Sequence, residues 1–187
     1  MGKIWTYESL GAASSNELEQ LLRTCQPPDM EQLNGFVYNG WNHEWIGKLS
    51  GEKFQKGFCK KDGKVMGFNQ MCEQDGKKYM GDWVTRKKKD GTPIQLAFFR
   101  SSTIKAEPKE KLYEPYQQAG HFNYDVPMNT GYNWFFKFIR DIVVTPNPGD
   151  NSLILCKAYI QLLIPGLNVF YCYFILGNKK QIDHFPW

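Results

Sequence analysis

Three Asp-Gly pairs, Asp62-Gly63, Asp75-Gly76 and Asp90-Gly91, punctuate the stretch from Lys53 to Ser101. A type I′ turn needs positive φ at both central positions, and Asp-Gly between half-apolar runs supplies it at little steric cost. The stretch therefore predicts an antiparallel meander of four strands joined by three tight turns. Phe54 and Phe58 fall on its first strand, Val65, Gly67, Phe68 and Met71 on its second. Tyr79, Gly81 and Trp83 alternate on the third, Ile94, Leu96 and Phe98 on the fourth. Polar Asn69, Gln70, Asp82 and Gln95 interrupt the pattern, as expected where the inner face of a sheet lines a cavity rather than a dry core.

Upstream, residues 1–13 carry little pattern and are expected to be flexible. Ser14 and Glu17 form a capping box, and Leu18, Leu21, Leu22 and Cys25 share one helical face, which predicts a helix over 14–26 ended by Pro27-Pro28. A further turn over 29–33 leads into a short strand from Gly35 to Gly40. Trp41, Trp45, Ile46 and Leu49 then sit at helical spacing and predict a small lid. Downstream, residues 102–131 are a long Pro-rich excursion containing a short strand near His121 to Val126. Trp134 to Val144 reads as a strand with Trp134, Phe136, Phe138, Arg140, Ile142 and Val144 on one face. Strands over 152–162 and 169–176 complete the set.

Eight or nine sequential strands with short connections suit an up-and-down antiparallel β-barrel, which leaves no edge unpaired. The fold expected is thus mainly β, an antiparallel up-and-down barrel of eight or nine strands over 35–177 with an N-terminal helix, in one domain spanning 1–187. Aromatic residues form 16% of the chain, which suits both pleated surfaces and apolar pocket walls. The net charge of +4 sits in lysine clusters beside the Asp-Gly turns. Lysines there protect strand edges, so nucleic acid is not an expected partner. The five cysteines are odd in number and lack metal-ligand spacing, which predicts thiols rather than disulfides or a zinc site. With no leader pattern and no apolar run of about 18 residues, a cytoplasmic protein without a membrane span is expected. Met1 to Thr6 matches the loose myristoylation form, with a bulky Trp5 inside it.

From Glu31 to Gly35, with Tyr38 and Gly40 following, the chain resembles the opening strand of lipocalin-like barrels. That family starts with a short turn and a Gly-x-Trp signature. Here Gly40 and Trp41 are adjacent, and Val37 stands two residues after Gly35. The stretches Lys53 to Phe58 and Leu155 to Tyr159 resemble uncharacterised bacterial proteins of this kind. The resemblance implies a ligand-holding barrel. A related haem-binding barrel family opens with similar spaced Gly and Trp, which makes haem a minor alternative.

Chemistry is sparse. The chain lacks a G-x-S-x-G elbow, a phosphate-binding P-loop and an H-E-x-x-H helix, and nothing marks Cys59 or Cys72 as activated. Arg140, facing inward with its apolar neighbours, would need an anionic partner such as a ligand carboxylate. His43 and His121 are acid/base candidates if oriented by a carboxylate such as Asp82 or Asp125, and His184 is a candidate haem ligand. The favoured expectation is non-catalytic binding of a small apolar or fatty-acid-like ligand, with no cofactor and no metal. Its wall would comprise Trp41, Trp83, Phe98, Trp134, Phe136 and Phe138, with Arg140 as anchor. The alternative is a cofactor-independent enzyme using His121 or His43.

Overall fold

A computed structural model describes residues 3–43, 51–164 and 166–187. Three short helices precede the sheet: α1 (Tyr7–Gly11), α2 (Ser15–Thr24) and α3 (Met30–Leu33). Eight strands follow: β1 (Phe36–Asn42), β2 (Lys53–Lys61), β3 (Lys64–Met71), β4 (Gln95–Thr103), β5 (Gly120–Asn123), β6 (Ile139–Val144), β7 (Ile154–Gln161) and β8 (Asn168–Gln181). Each strand pairs antiparallel with its sequence neighbours, and β1 pairs with β8, so the sheet closes into an up-and-down barrel. Closure satisfies every edge within the ladder, the constraint that a sheet of this size must meet.

Local chemistry explains the elements. Ser14 Oγ accepts from the Glu17 amide while the Glu17 carboxylate accepts from the Ser14 amide, closing the expected capping box. At Asp62-Gly63 both residues have positive φ, 50° and 74°, and Lys61 pairs with Lys64 across a two-residue turn. The other two Asp-Gly pairs correct the meander. They turn within the long connection from β3 to β4, which holds only isolated bridges, Cys72 with Thr85 and Lys87 with Pro93. The start of the chain also differs from expectation. Residues 7–11 form α1, capped by Thr6, and Tyr7 and Leu10 are buried. Of the expected lid, Trp41 and Asn42 continue β1, and residues 44–50 lie outside the described residues.

The largest correction concerns residues 134–144. Gly131–Phe138 is a 3₁₀ helix, and only Ile139 onward is strand. The strand alternation therefore starts afresh at Ile139. Asp141 and Val143 point into the barrel, while Ile142 and Val144 pack outside it. Because side chains alternate with period two, a one-residue change of phase exchanges every inside and outside position. β4 shows the same effect. A register shift opposite Gly67 to Asn69, with Ala97 at φ 52°, puts Leu96 and Phe99 inward and Phe98 outward.

Apolar side chains fill two layers. Inside, Tyr38, Phe58, Phe99, Phe122 and Ile154 pack together, and Leu33 of α3 closes that end. Outside, α1, α2 and the 3₁₀ helix Lys111–Tyr116 cover Trp41, Ile142, Leu155 and Ile175. Glu19 on α2 secures the outer layer, accepting hydrogen bonds from Arg23, Tyr116, Lys157 and Tyr173. Burial alone would raise its pKa, but the hydrogen bonds from Lys157, Tyr116 and Arg23 outweigh burial and hold it at about 2. A depressed carboxylate pKa adds stability above the unfolded value of 4.5, and that stability is lost as pH falls toward 2. In acid titrations followed by circular dichroism, Glu19→Gln is expected to be less stable at neutral pH and to show a flatter loss between those values. Equal slopes for variant and parent would contradict the assignment.

A second prediction concerns close approach. A Cβ on Gly67 would run into the tip of the Phe99 ring at Cζ and both Cε atoms, so only glycine lets that ring approach β3 so closely. Gly67→Ala is expected to cost about 1–3 kcal/mol in denaturant unfolding by overpacking.

Candidate functional site

The inner apolar layer fills only one end of the barrel. The other end holds an open cavity of about 840 Å³, within the usual size range of small-molecule sites. Its walls come from Phe54 of β2, Leu96 of β4, Ile139 of β6, Ala158 and Ile160 of β7, and Cys172 and Phe174 of β8. Phe135, Phe136 and Phe138 reach it from the 3₁₀ helix at its mouth. The surface offered to a guest is mostly apolar.

Three polar side chains stand where this cavity meets the packed end. Lys56 on β2 and Asp141 on β6 are each 1% exposed and approach across the lumen, Nζ to Oδ2 at 3.5 Å. Tyr124, just after β5, bridges them: its hydroxyl accepts from Lys56 Nζ and donates to Asp141 Oδ2 at 2.7 Å. Asn129, itself fully buried, holds Tyr124 in place by donating to its carbonyl at 2.7 Å while also clasping both backbone groups of Phe98. The ammonium of Lys56 lies 4.4 Å from the Phe99 ring centroid, 5.0 Å from Tyr124 and 5.1 Å from Phe174. Rings at these distances replace part of the lost hydration of a cation.

Burial pushes the Lys56 ammonium down and the Asp141 carboxyl up, and their mutual attraction opposes both shifts. Burial also pushes the Tyr124 phenol well up, so it stays a hydrogen-bond donor. The opposed shifts bring the amine and the carboxyl closer together in proton affinity. The site's acceptors are not all used. Asp141 Oδ1 and Asn69 Oδ1 are buried, and neither has a hydrogen-bond partner among the described residues. An unmade buried hydrogen bond costs about 1–3 kcal/mol, so these atoms await a donor, whether water or a guest.

The expected site residues separate into two groups. Phe136 and Phe138 line the cavity. Arg140 does not: its Nη1 donates to the Lys137 and Ile139 carbonyls on the outer side, in the phase opposite to Asp141. Trp41 packs outside against Tyr79, and Trp83 packs outside against Tyr7, donating to the Gly40 carbonyl at 2.8 Å. Phe98 lies outside under Trp187, and Trp134 is 58% exposed. No histidine lines the cavity. His43 Nε2 meets the Ala13 carbonyl, and the His184 carbonyl accepts from Gln95. His121 is fully buried in the outer layer, where Nε2 meets the Tyr113 hydroxyl and Nδ1 lies 3.5 Å from Glu107. Neither Asp82 nor Asp125 stands beside it; its carboxylate is Glu107, which also takes a bidentate Arg100.

Burial raises the thiols of Cys59 and Cys72 to about 12, so neither is an activated nucleophile. Among the described residues no three His, Cys, Asp or Glu side chains gather as a metal site, and no disulfide joins the cysteines. No helix among them is long and apolar enough to cross a membrane.

Sequence reasoning passed over Lys56 although a signal was present. Phe54, Lys56 and Phe58 share one strand face, so the inward direction of the two rings carries the lysine inward too. Compared with models of known families, with curated proteins and with solved structures, the chain matches none.

Breaking the buried pair strands a charge. Lys56→Met alone is expected to cost about 3–5 kcal/mol, whereas Lys56→Met with Asp141→Leu and Tyr124→Phe removes all three groups and is expected to cost far less. Urea unfolding of the two variants decides it; equal losses would mean that the pair does not bear on stability.

Proposed function

We propose that the barrel is a non-catalytic carrier of a small amphipathic molecule, held with its apolar body in the cavity and its polar end at Lys56, Tyr124 and Asp141. The observation that carries this reading is the pairing of an apolar-walled cavity of about 840 Å³ with buried acceptors that lack partners at its inner end. An apolar wall supplies affinity in proportion to area removed from water, and a few fixed polar groups supply orientation. Arg140 has no part in it. In this reading the chain works as lipocalin-like barrels do, through its architecture.

A second reading keeps the cavity and gives the trio chemical work. It is favoured by the opposed shifts of Lys56 and Asp141, which bring an amine and a carboxyl toward shared protonation through a phenol. The cofactor-independent enzyme would then use Lys56 in place of a histidine.

The test has two arms. Native mass spectrometry of protein purified from cells is expected to show a bound small molecule of one chemical class. Displacement by a fluorescent polyene fatty acid is expected to weaken at least tenfold in Ala158→Trp, which fills the cavity from β7. Unchanged probe affinity in a folded Ala158→Trp variant would refute the site. A co-purified molecule that the protein converts on incubation, with loss of conversion in Lys56→Met, would favour the enzyme.

A further inference from the structure

The mouth of the cavity opens through an unusual surface. In an up-and-down barrel, alternate connections lie at one end, and here β3–β4, β5–β6 and β7–β8 lie at the open one. Two adjacent connections present large apolar side chains to solvent. The 3₁₀ helix before β6 exposes Tyr132 by 98%, Trp134 by 58% and Phe135 by 51%. The turn between β7 and β8 exposes Leu163 by 85%, Ile164 by 63% and Leu167 by 45%. Ile139 pairs with Ile160, which brings the end of the helix alongside the base of that turn. Scattered exposed apolar residues are ordinary, but two aligned clusters at one cavity mouth are not.

The connection on the other side of the helix is basic. Arg86, Lys87, Lys88 and Lys89 are all exposed, in a small hairpin that stands above the ends of β3 and β4. Arg86 also lines the cavity mouth. Aromatic and aliphatic groups beside a cationic run match the two layers of an anionic bilayer surface, where rings seat at headgroup depth and lysines meet lipid phosphates and carboxylates. A protein partner would need shaped pockets around such protruding groups; a fluid lipid surface needs only their height.

We propose that the cavity mouth docks on anionic membrane surfaces, seating Tyr132, Trp134, Phe135, Leu163, Ile164 and Leu167 in the headgroup region with the 86–89 run on acidic lipid. Docking rests on this surface alone. That it lets a ligand pass between bilayer and barrel rests on the carrier reading, because Phe135 belongs to both the rim and the cavity wall.

Flotation of the full chain with vesicles tests it. With three parts phosphatidylcholine to one part phosphatidylserine, the protein is expected to float, with at least tenfold less bound to pure phosphatidylcholine and less bound at high salt. Trp134→Ser with Leu163→Ser is expected to lower binding at least tenfold while leaving the fold intact by circular dichroism. Lys87→Glu with Lys88→Glu is expected to erase the preference for phosphatidylserine. Ala158→Trp is expected to float like the parent, so failure of the carrier reading leaves docking standing, and the reverse also holds. Absence of flotation with either vesicle, flotation indifferent to the rim variants, or a dimer in sedimentation that Trp134→Ser dissolves would overturn the proposal.

Discussion

A lysine and an aspartate meeting across the lumen of a β-barrel set the terms for the rest of this structure. Burying either charge without the other costs about 3–5 kcal/mol, a large share of a domain's net stability, so each relies on the other facing it. Lys56 comes from β2 and Asp141 from β6, on opposite walls, and Tyr124 spans the remaining gap. The pair divides the interior. Toward α3, rings and branched aliphatics pack the lumen solid. Toward the other end, the wall residues leave a cavity open to the mouth. Much of the neighbouring architecture serves this arrangement: Asn129 fixes Tyr124, Phe99 leans over Gly67 to reach the ammonium, and Phe174 lies beside it.

A barrel this short of interior packing must gain its stability elsewhere. It does so on the outside, where α1, α2 and the Lys111–Tyr116 helix turn the outer faces of β6, β7 and β8 into a second core. These strands are consequently apolar on both faces, unlike a strand with one face in water. The Glu19 cluster and the Glu107–Arg100–His121 cluster supply polar closure for that layer. Among the described residues, buried atoms without a hydrogen-bond partner occur in both layers, Trp41 Nε1 and His121 Nδ1 outside and Asp141 Oδ1, Asn69 Oδ1 and Gln70 Oε1 in residues that line the cavity, where the acceptors gather round one space.

The barrel itself was legible in the residues, because sequential strands with turn residues between them have few other ways to hide their edges. Asp62-Gly63 marked a true hairpin, and the capping box at Ser14 marked α2. Asp75-Gly76 and Asp90-Gly91 marked real turns too, with positive φ at both glycines, but a turn does not reveal whether the chain beside it joins the barrel or loops over it. The site was less legible, since it depends on the phase of β6. In Ile139 to Val144 both phases carry a charge, Arg140 or Asp141, and both carry aliphatics, so alternation alone cannot choose. The rings at Trp134, Phe136 and Phe138 pointed to Arg140 only while they counted as strand. Once they coil into a 3₁₀ turn, the count restarts and Asp141 takes the interior position. The bulge at Ala97 did the same to Phe98 and Phe99.

The proposed guest is elongated, lies in the unfilled end of the barrel and meets the Lys56–Tyr124–Asp141 trio with its polar end. A crystal structure of protein taken from cells without ligand stripping measures this most directly. Continuous density is expected to run from the mouth past Phe136 and to end within hydrogen-bond reach of Asp141 Oδ1. A cavity collapsed by inward movement of Phe135, Phe136 and Phe138 onto Lys56 would contradict it, as would density that never approaches the trio.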